Sequence, residues 1–133
     1  MRRLLTLLVA PLLLTSACGA SPTDVAADLC HDIDNLRGTI GFLAEPRVDA
    51  TVGLVRSAVD KLEPTFVRVD DSELVSLTVR ARLRNAQEAY AAVLEPYGDD
   101  EPVTTVAMGV AQPARRLLDA VASVEAELAC ETS

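Results

Sequence analysis

Hydrophobic residues recur every three or four positions along most of the chain, which is the spacing of one face of an α-helix. The first such stretch follows Ser21 and Pro22, a good N-cap and a residue suited to the first helical position. Its apolar face consists of Val25, Leu29, Ile33, Leu36, Ile40 and Leu43. The spacing predicts one helix that ends at Pro46, weakened inside by Gly38 and Gly41, which we expect to mark a close helix contact.

Two further stretches follow the same period. The second apolar face, Val48, Val52, Val55, Val59 and Leu62, predicts a helix that is capped by Asp49 and ends before Pro64. A third helix is predicted from about residue 71 to residue 95, because Asp70 and Glu73 have the spacing of a capping box. Its apolar face consists of Val75, Val79, Leu83, Ala86, Tyr90 and Val93.

The last apolar face is the longest. It consists of Val103, Val106, Val110, Ala114, Leu117, Val121, Val124 and Leu128, and Pro102 is suited to open the helix. Pro113 lies inside and removes one hydrogen bond, so we expect a kink there and no break. Four amphipathic helices with short connections predict an all-α fold, a four-helix antiparallel (up-down-up-down) bundle with a kinked last helix.

The first eighteen residues have a different pattern. Arg2 and Arg3 precede an apolar run of eleven residues, 4–14, which is followed by Thr15, Ser16, Ala17 and Cys18. At about 1.5 Å per residue, this run spans only about half of a ~30 Å hydrocarbon core. The pattern is therefore typical of an export signal and not of a transmembrane helix.

The run Leu14-Thr15-Ser16-Ala17-Cys18 resembles the lipobox of bacterial lipoproteins. The resemblance implies that Cys18 is diacylated on its thiol and that the type II signal peptidase cuts the chain just before it. It divides the chain into a removed signal peptide (1–17), a lipidated cysteine with a short tether (18–21) and a helical bundle domain (22–133). The protein would then be extracytoplasmic and lipid-anchored to the cell membrane; a plain secretory signal cut after Ala17 is the alternative.

Charge narrows the classes of partner. The 133 residues include 12 basic and 20 acidic side chains, for a net charge of −8, and loss of Arg2 and Arg3 with the signal makes it −10. So acidic a domain disfavours nucleic acid and anionic lipid headgroups as partners.

If Cys18 carries lipid, it is not available for a disulfide, which decides how the other two of the three cysteines can pair. Cys30 and Cys130 are then left as a pair in an oxidising compartment, where such pairs normally close. An antiparallel arrangement of the first and last helices would also bring them side by side. We therefore predict a Cys30–Cys130 disulfide that joins these two helices.

The sole histidine marks one candidate metal site. Asp28, His31, Asp32 and Asn35 share a polar helix face, and carboxylates with an imidazole can hold a divalent cation. The competing interpretation is a solvated acidic face near a helix N-terminus, where the dipole favours negative charge. We adopt it, and predict no metal site and no cofactor.

Arginines are the candidates for ligand binding. Folding the chain about Pro46 and Gly98 brings Arg37 level with Arg56, and Arg80 and Arg84 level with Arg115 and Arg116. Guanidinium groups bind carboxylates and phosphates well, so such a belt could receive an anionic ligand, with Arg37, Arg56, Arg80 and Arg84 as the candidate residues. The alternative is that they pair with the abundant aspartates and glutamates.

Catalysis has little support, because the chain has one imidazole and no strand–turn–helix serine motif. We predict a non-catalytic binding or interaction module whose partners are the membrane, through the lipid on Cys18, and a protein. A carrier of a small apolar or lipid-like ligand is one alternative. A small helical enzyme similar to exported chorismate mutases is another, since 33–36 and 45–47 resemble their first helix in outline; the single Lys61 departs from their cationic site.

Overall fold

The computed structural model describes residues 21–131, and in this part of the chain every regular element is helical. The α-helices are α1 (Pro22–Asn35), α2 (Arg37–Ala44), α3 (Val52–Asp70), α4 (Leu77–Leu94) and α5 (Ala107–Glu127), with a short 3₁₀ helix at Val103–Thr105. The all-helical prediction is confirmed. The signal segment and Cys18 lie outside the described residues.

The first predicted helix is two helices. Ser21 caps α1 as the sequence predicts, accepting a hydrogen bond from the Asp24 amide at 3.2 Å. The helical path breaks at Leu36; α2 packs on both α3 and α5, whereas α1 packs on α3. A Cβ at Gly38 or Gly41 would meet nothing within 4 Å, so the expectation that they mark a close helix contact is wrong.

Helix α3 continues past the point where the sequence predicted its end. Pro64 lies inside α3 on the exposed side, and the helix runs on to Asp70. Phe66 and Val69 beyond the proline are buried, at 5% and 0% exposure. Their burial outweighs the one hydrogen bond that proline removes, since each large apolar side chain gains about 1.5–3 kcal/mol when buried.

Both predicted caps of the middle helices are also corrected. Thr51, not Asp49, caps α3 through the Leu54 amide at 3.3 Å, because α3 begins only at Val52; Asp49 pairs with Arg47 instead. Ser76 caps α4 through the Val79 amide, also at 3.3 Å. The spacing of Asp70 and Glu73 was therefore a coincidence, since Asp70 still belongs to α3.

The last helix begins later than predicted. Pro102 forms an isolated bridge with Thr51, the 3₁₀ turn follows, and α5 starts only at Ala107. Helix α5 continues through Pro113 without a break, as expected. The kink itself stays a prediction.

A single core joins the elements. The predicted apolar faces supply most of its buried residues, and α4 lies between α3 and α5. Tyr90 is fully buried, as its place on the apolar stripe predicts, and its hydroxyl donates to the Leu43 carbonyl at 2.8 Å at the end of α2. Burial raises the pKa of the Tyr90 hydroxyl well above its ordinary value, so the group is a permanent donor.

Chain connections meet at two places. At the loop end, defined by residues 45–53 and 95–106, amides of Val52 and Gly53 donate to the Glu101 and Asp99 carbonyls at 2.8 and 2.9 Å. A Cβ on Gly53 would lie 2.9 Å from the Asp99 Cβ, so this contact requires glycine. At the disulfide end, the start of α1, residues 71–76 and residues 127–131 border common hollows.

Candidate binding grooves

The Cys30–Cys130 disulfide is present, which confirms the prediction. The two Cα atoms lie 5.5 Å apart across a sequence separation of 100 residues. Two backbone hydrogen bonds end α5 and position Cys130 next to α1. The Cys130 amide donates to the Glu125 carbonyl at 2.9 Å, and the Ala129 amide donates to the Ala126 carbonyl at 3.2 Å. This is a Schellman motif, and Ala129 occupies its left-handed position at a φ of 54°.

A hollow of about 740 Å³ borders the disulfide and includes the exposed His31. Of the residues that share its polar face, Asp32 pairs with Arg68 of α3, while Asp28 and Asn35 are exposed. Within residues 21–131, no three His, Cys, Asp or Glu side chains are arranged to hold a metal ion.

Two of the candidate arginines bind the C-terminal ends of neighbouring helices. Arg56 of α3 donates to the Leu94 and Tyr97 carbonyls, each at 2.9 Å, and also pairs with Asp99. Arg80 of α4 donates to the Asp70 carbonyl at the end of α3, at 2.7 Å. Terminal carbonyls of a helix lack intrahelical partners and carry partial negative charge, so both guanidinium groups act as caps.

The other two candidates form ion pairs. Arg84 binds the Asp70 carboxylate at 2.5 Å, so Arg80 and Arg84 are brought together at the end of α3. Arg37 binds Asp34 and Glu125, each at 2.8 Å, and joins α2 to α5. Arg37 therefore binds α5 near its C-terminus, whereas Arg56 binds at the loop end, so the two side chains bind different parts of the molecule.

A groove of about 410 Å³ lies between α3 and α4. Its floor includes Phe66 and Leu83, and its rim carries the carboxylates of Asp60, Glu63 and Glu88. The Arg80 Nε atom is buried here without a hydrogen-bond partner, while one terminal nitrogen of the same guanidinium group donates to the Asp70 carbonyl. Asp70 and Arg84 also line this α3–α4 groove, so four carboxylates stand against two guanidinium groups there.

The groove on the other side of α4, between α4 and α5, has the opposite character. It measures about 350 Å³ and its floor includes the buried Ala86 and Ala120. Arg82 from α4 and Arg116 from α5 line it, together with Asn85, Asp119 and Ser123. We call it the α4–α5 groove.

Arg82 and Arg116 differ from the other arginines of the described chain. Five of the nine arginines in 21–131 pair with a carboxylate: Arg37, Arg47, Arg56, Arg68 and Arg84. Arg80 and Arg115 donate to backbone carbonyls. Arg82 and Arg116 have neither kind of partner among these residues.

Folding the sequence into a hairpin placed Arg116 beside Arg80 and Arg84 and did not pair it with Arg82, although a signal for this pair existed. Arg82 is followed by Asn85 and Ala86, and Arg116 by Asp119 and Ala120, so each helix repeats an arginine, a polar residue and an alanine at i, i+3 and i+4. Only the packing of α4 on α5 shows that the two faces meet.

No described helix combines the length and apolarity needed to cross a membrane. Comparison of the chain with models of protein families, with curated proteins and with solved structures found no significant match.

Proposed function

We propose that this chain is an exported lipoprotein, anchored to the cell membrane through lipid on Cys18, whose helical domain is a binding module without catalysis. The Cys30–Cys130 disulfide carries the proposal, because structural disulfides persist in oxidising compartments and are rare in the cytosol. The lipobox-like run that ends at Cys18 supports the same location.

The position of the disulfide also fits an anchor. Helix α1 begins at Pro22, four residues after Cys18, and Pro22 borders the same hollow as Cys30 and Cys130. A cross-link here would hold residues 127–131 beside the start of α1, close to the membrane. The acidic surface would keep the rest of the domain off anionic headgroups.

We further propose the up-down-up-down order for the bundle, with α1 and α2 together as its first member. Neighbouring pairs support it: α2 packs on α3, α3 on α4, α4 on α5, and α5 on α2. The bonds at the two ends agree, because connections 45–51 and 95–106 meet at one end and residues 71–76 and 127–131 at the other. This order leaves grooves between adjacent helices as the available binding surfaces.

Binding without chemistry is supported by what the polar side chains do. Arg37, Arg56, Arg80 and Arg84 serve as caps or ion pairs of the fold. Tyr90 is held as a donor in the core. These groups stabilise the bundle and are not arranged around a reacting centre.

The anchor is tested by Cys18→Ala in the native host. We expect the variant to lose its lipid and to leave the detergent phase in a detergent phase-separation assay, whereas a Cys30→Ala/Cys130→Ala control keeps the lipid and stays in that phase. Retention of Cys18→Ala in the detergent phase would show that the anchor is misassigned.

The binding role is tested by native mass spectrometry of protein purified from host membranes. We expect a co-purifying protein or polar ligand. A co-purifying lipid in stoichiometric amount would favour the carrier of an apolar ligand. Conversion of chorismate above background by the purified protein would overturn the non-catalytic assignment.

A further inference from the structure

We propose that the α4–α5 groove is a binding site for a small organic or inorganic oxyanion, a carboxylate or a phosphate, held between Arg82 and Arg116. The proposal rests on the binding module proposed above and names the chemical class of its ligand. Guanidinium groups present paired N–H donors that match the oxygens of both classes of anion.

Charge is the first argument. The chain has 20 acidic and 12 basic side chains, so carboxylates are abundant, and most arginines of the described chain have found one. Arg82 and Arg116 nevertheless line one groove without a carboxylate within ion-pair distance in 21–131. Two like charges that line one groove repel each other, and an anion bound between them would turn this repulsion into attraction.

The shape of the groove is the second argument. Ala86 and Ala120 are both only 3% exposed and end at Cβ, so the space between the two arginine side chains is not filled by the floor. The Asn85 amide adds further donors on the α4 side. Ser123 donates its hydroxyl proton to the Asp119 carbonyl at 3.0 Å, so the donors left for an anion are the two guanidinium groups and the Asn85 amide.

Asp119 limits what can bind. It is the one carboxylate that lines the groove, against two guanidinium groups, so the local charge is +1. A small anion with few charges fits this balance better than a polyanion such as nucleic acid, which the charge of the whole chain also repels. The α3–α4 groove is lined by four carboxylates and two guanidinium groups, so its local charge is −2 and it would repel the same ligand.

The test follows the Arg82 and Arg116 Nε–H resonances by nuclear magnetic resonance, in isotope-labelled mature lipidated protein (residues 18–133) in neutral detergent micelles. We would titrate with sodium phosphate and, separately, with sodium succinate, at ionic strength held constant with sodium chloride. Both resonances should shift saturably with at least one anion, while Arg47, which pairs with Asp49 at the loop end, should not.

Substitutions then locate the site. Arg82→Gln and Arg116→Gln should each raise the Kd about tenfold, because each removes charge-assisted hydrogen bonds. Arg115→Gln is the matched control: it removes the same charge at the adjacent position, but Arg115 bonds to the Ala111 carbonyl of its own helix and does not line the groove. Its Kd should change less than twofold.

Saturation by phosphate alone would identify a phosphate ligand, and saturation by succinate alone a carboxylate; either supports the site. The site would be overturned if neither anion gave saturable shifts. It would also be overturned if all three substitutions weakened anion binding equally, since that result indicates a general electrostatic effect. The anion titration could fail while a protein or polar ligand still co-purifies from host membranes. That pair of results would reject this site and leave the proposed binding module supported.

Discussion

The two ends of the domain are closed by different kinds of bond. At the disulfide end a covalent cross-link joins residues 100 positions apart, and the Glu127 carboxylate binds the Ser76 amide and hydroxyl at 2.6 and 2.7 Å. At the loop end two connections exchange backbone hydrogen bonds, and Arg56 caps α4. One end therefore depends on a bond that constrains the unfolded chain, and the other on hydrogen bonds that exist only in the fold.

The difference explains the placement of the cross-link. The loop end is formed by connections whose amides and carbonyls complement each other directly, for example the Val103 amide and the Ala50 carbonyl at 3.0 Å. The disulfide end gathers the start of α1 and the residues that follow α5, and the first and last segments of a helical domain fray unless they are tied down. A cross-link between distant residues stabilises most there, because it removes the most freedom from the unfolded chain.

The largest expected effect is loss of the disulfide. Reduction, or the Cys30→Ala/Cys130→Ala double substitution, should lower the free energy of unfolding by about 4 kcal/mol, as the closed loop has about 100 residues. Denaturant unfolding followed by circular dichroism measures the change. An unchanged midpoint would mean that hydrogen bonds hold this end as well as they hold the loop end.

Arg56→Met should have the next largest effect. Methionine keeps an apolar stem but leaves the Leu94 and Tyr97 carbonyls without their donor, so we expect a loss of about 2 kcal/mol of unfolding free energy. Arg47→Met is the control at the same end, because its pair with Asp49 is largely solvent-exposed and should matter much less. Equal losses in the two variants would show that the caps at the loop end contribute nothing special.

Ala129→Gly should stabilise the disulfide end. Ala129 has a φ of 54°, a left-handed conformation that glycine adopts without the steric cost of a Cβ, so we expect a gain of about 1 kcal/mol. Ala126→Gly, in the last turn of the right-handed α5, should instead destabilise by up to about 1 kcal/mol. If both substitutions change the denaturation midpoint in the same direction, the left-handed cap is not strained.

The smallest effect should come from Glu127 and should depend on pH. Hydrogen bonds from the Ser76 hydroxyl and amide lower the pKa of the Glu127 carboxyl below its ordinary value. Its contribution is therefore complete above the unfolded pKa of about 4.3 and is lost as the pH falls through the lower folded pKa.

Glu127→Gln should accordingly destabilise the domain at pH 7, and the difference from the parent should shrink in acid. Denaturant midpoints measured across this pH range test the trend. Glu131→Gln, which removes an exposed carboxylate that does not bind Ser76 at the same end, is the control for the loss of one negative charge. A Glu127 difference that stays constant down to the lowest pH would contradict the lowered pKa.

The periodicity of the sequence determined the helical class and most of the buried faces. A helix that buries one face needs apolar residues every three or four positions, and this spacing is visible in the sequence itself. Ser21 as a cap and the pairing of Cys30 with Cys130 were also readable, the first from local chemistry and the second from the count of cysteines. The boundaries of the helices were harder to predict from the sequence. Pro64 is a helix breaker by its own chemistry, and it is tolerated only since Phe66 and Val69 are buried beyond it.

Tertiary structure alone decided what the arginines do. A guanidinium group on a long side chain can reach several partners, and which one it meets depends on how neighbouring helices pack. Arg56 and Arg80 cap helices other than their own, which no spacing along one helix encodes. The meeting of Arg82 with Arg116 has the same origin: each helix carries its pattern in the sequence, but only the packing of α4 on α5 places the two patterns in one groove.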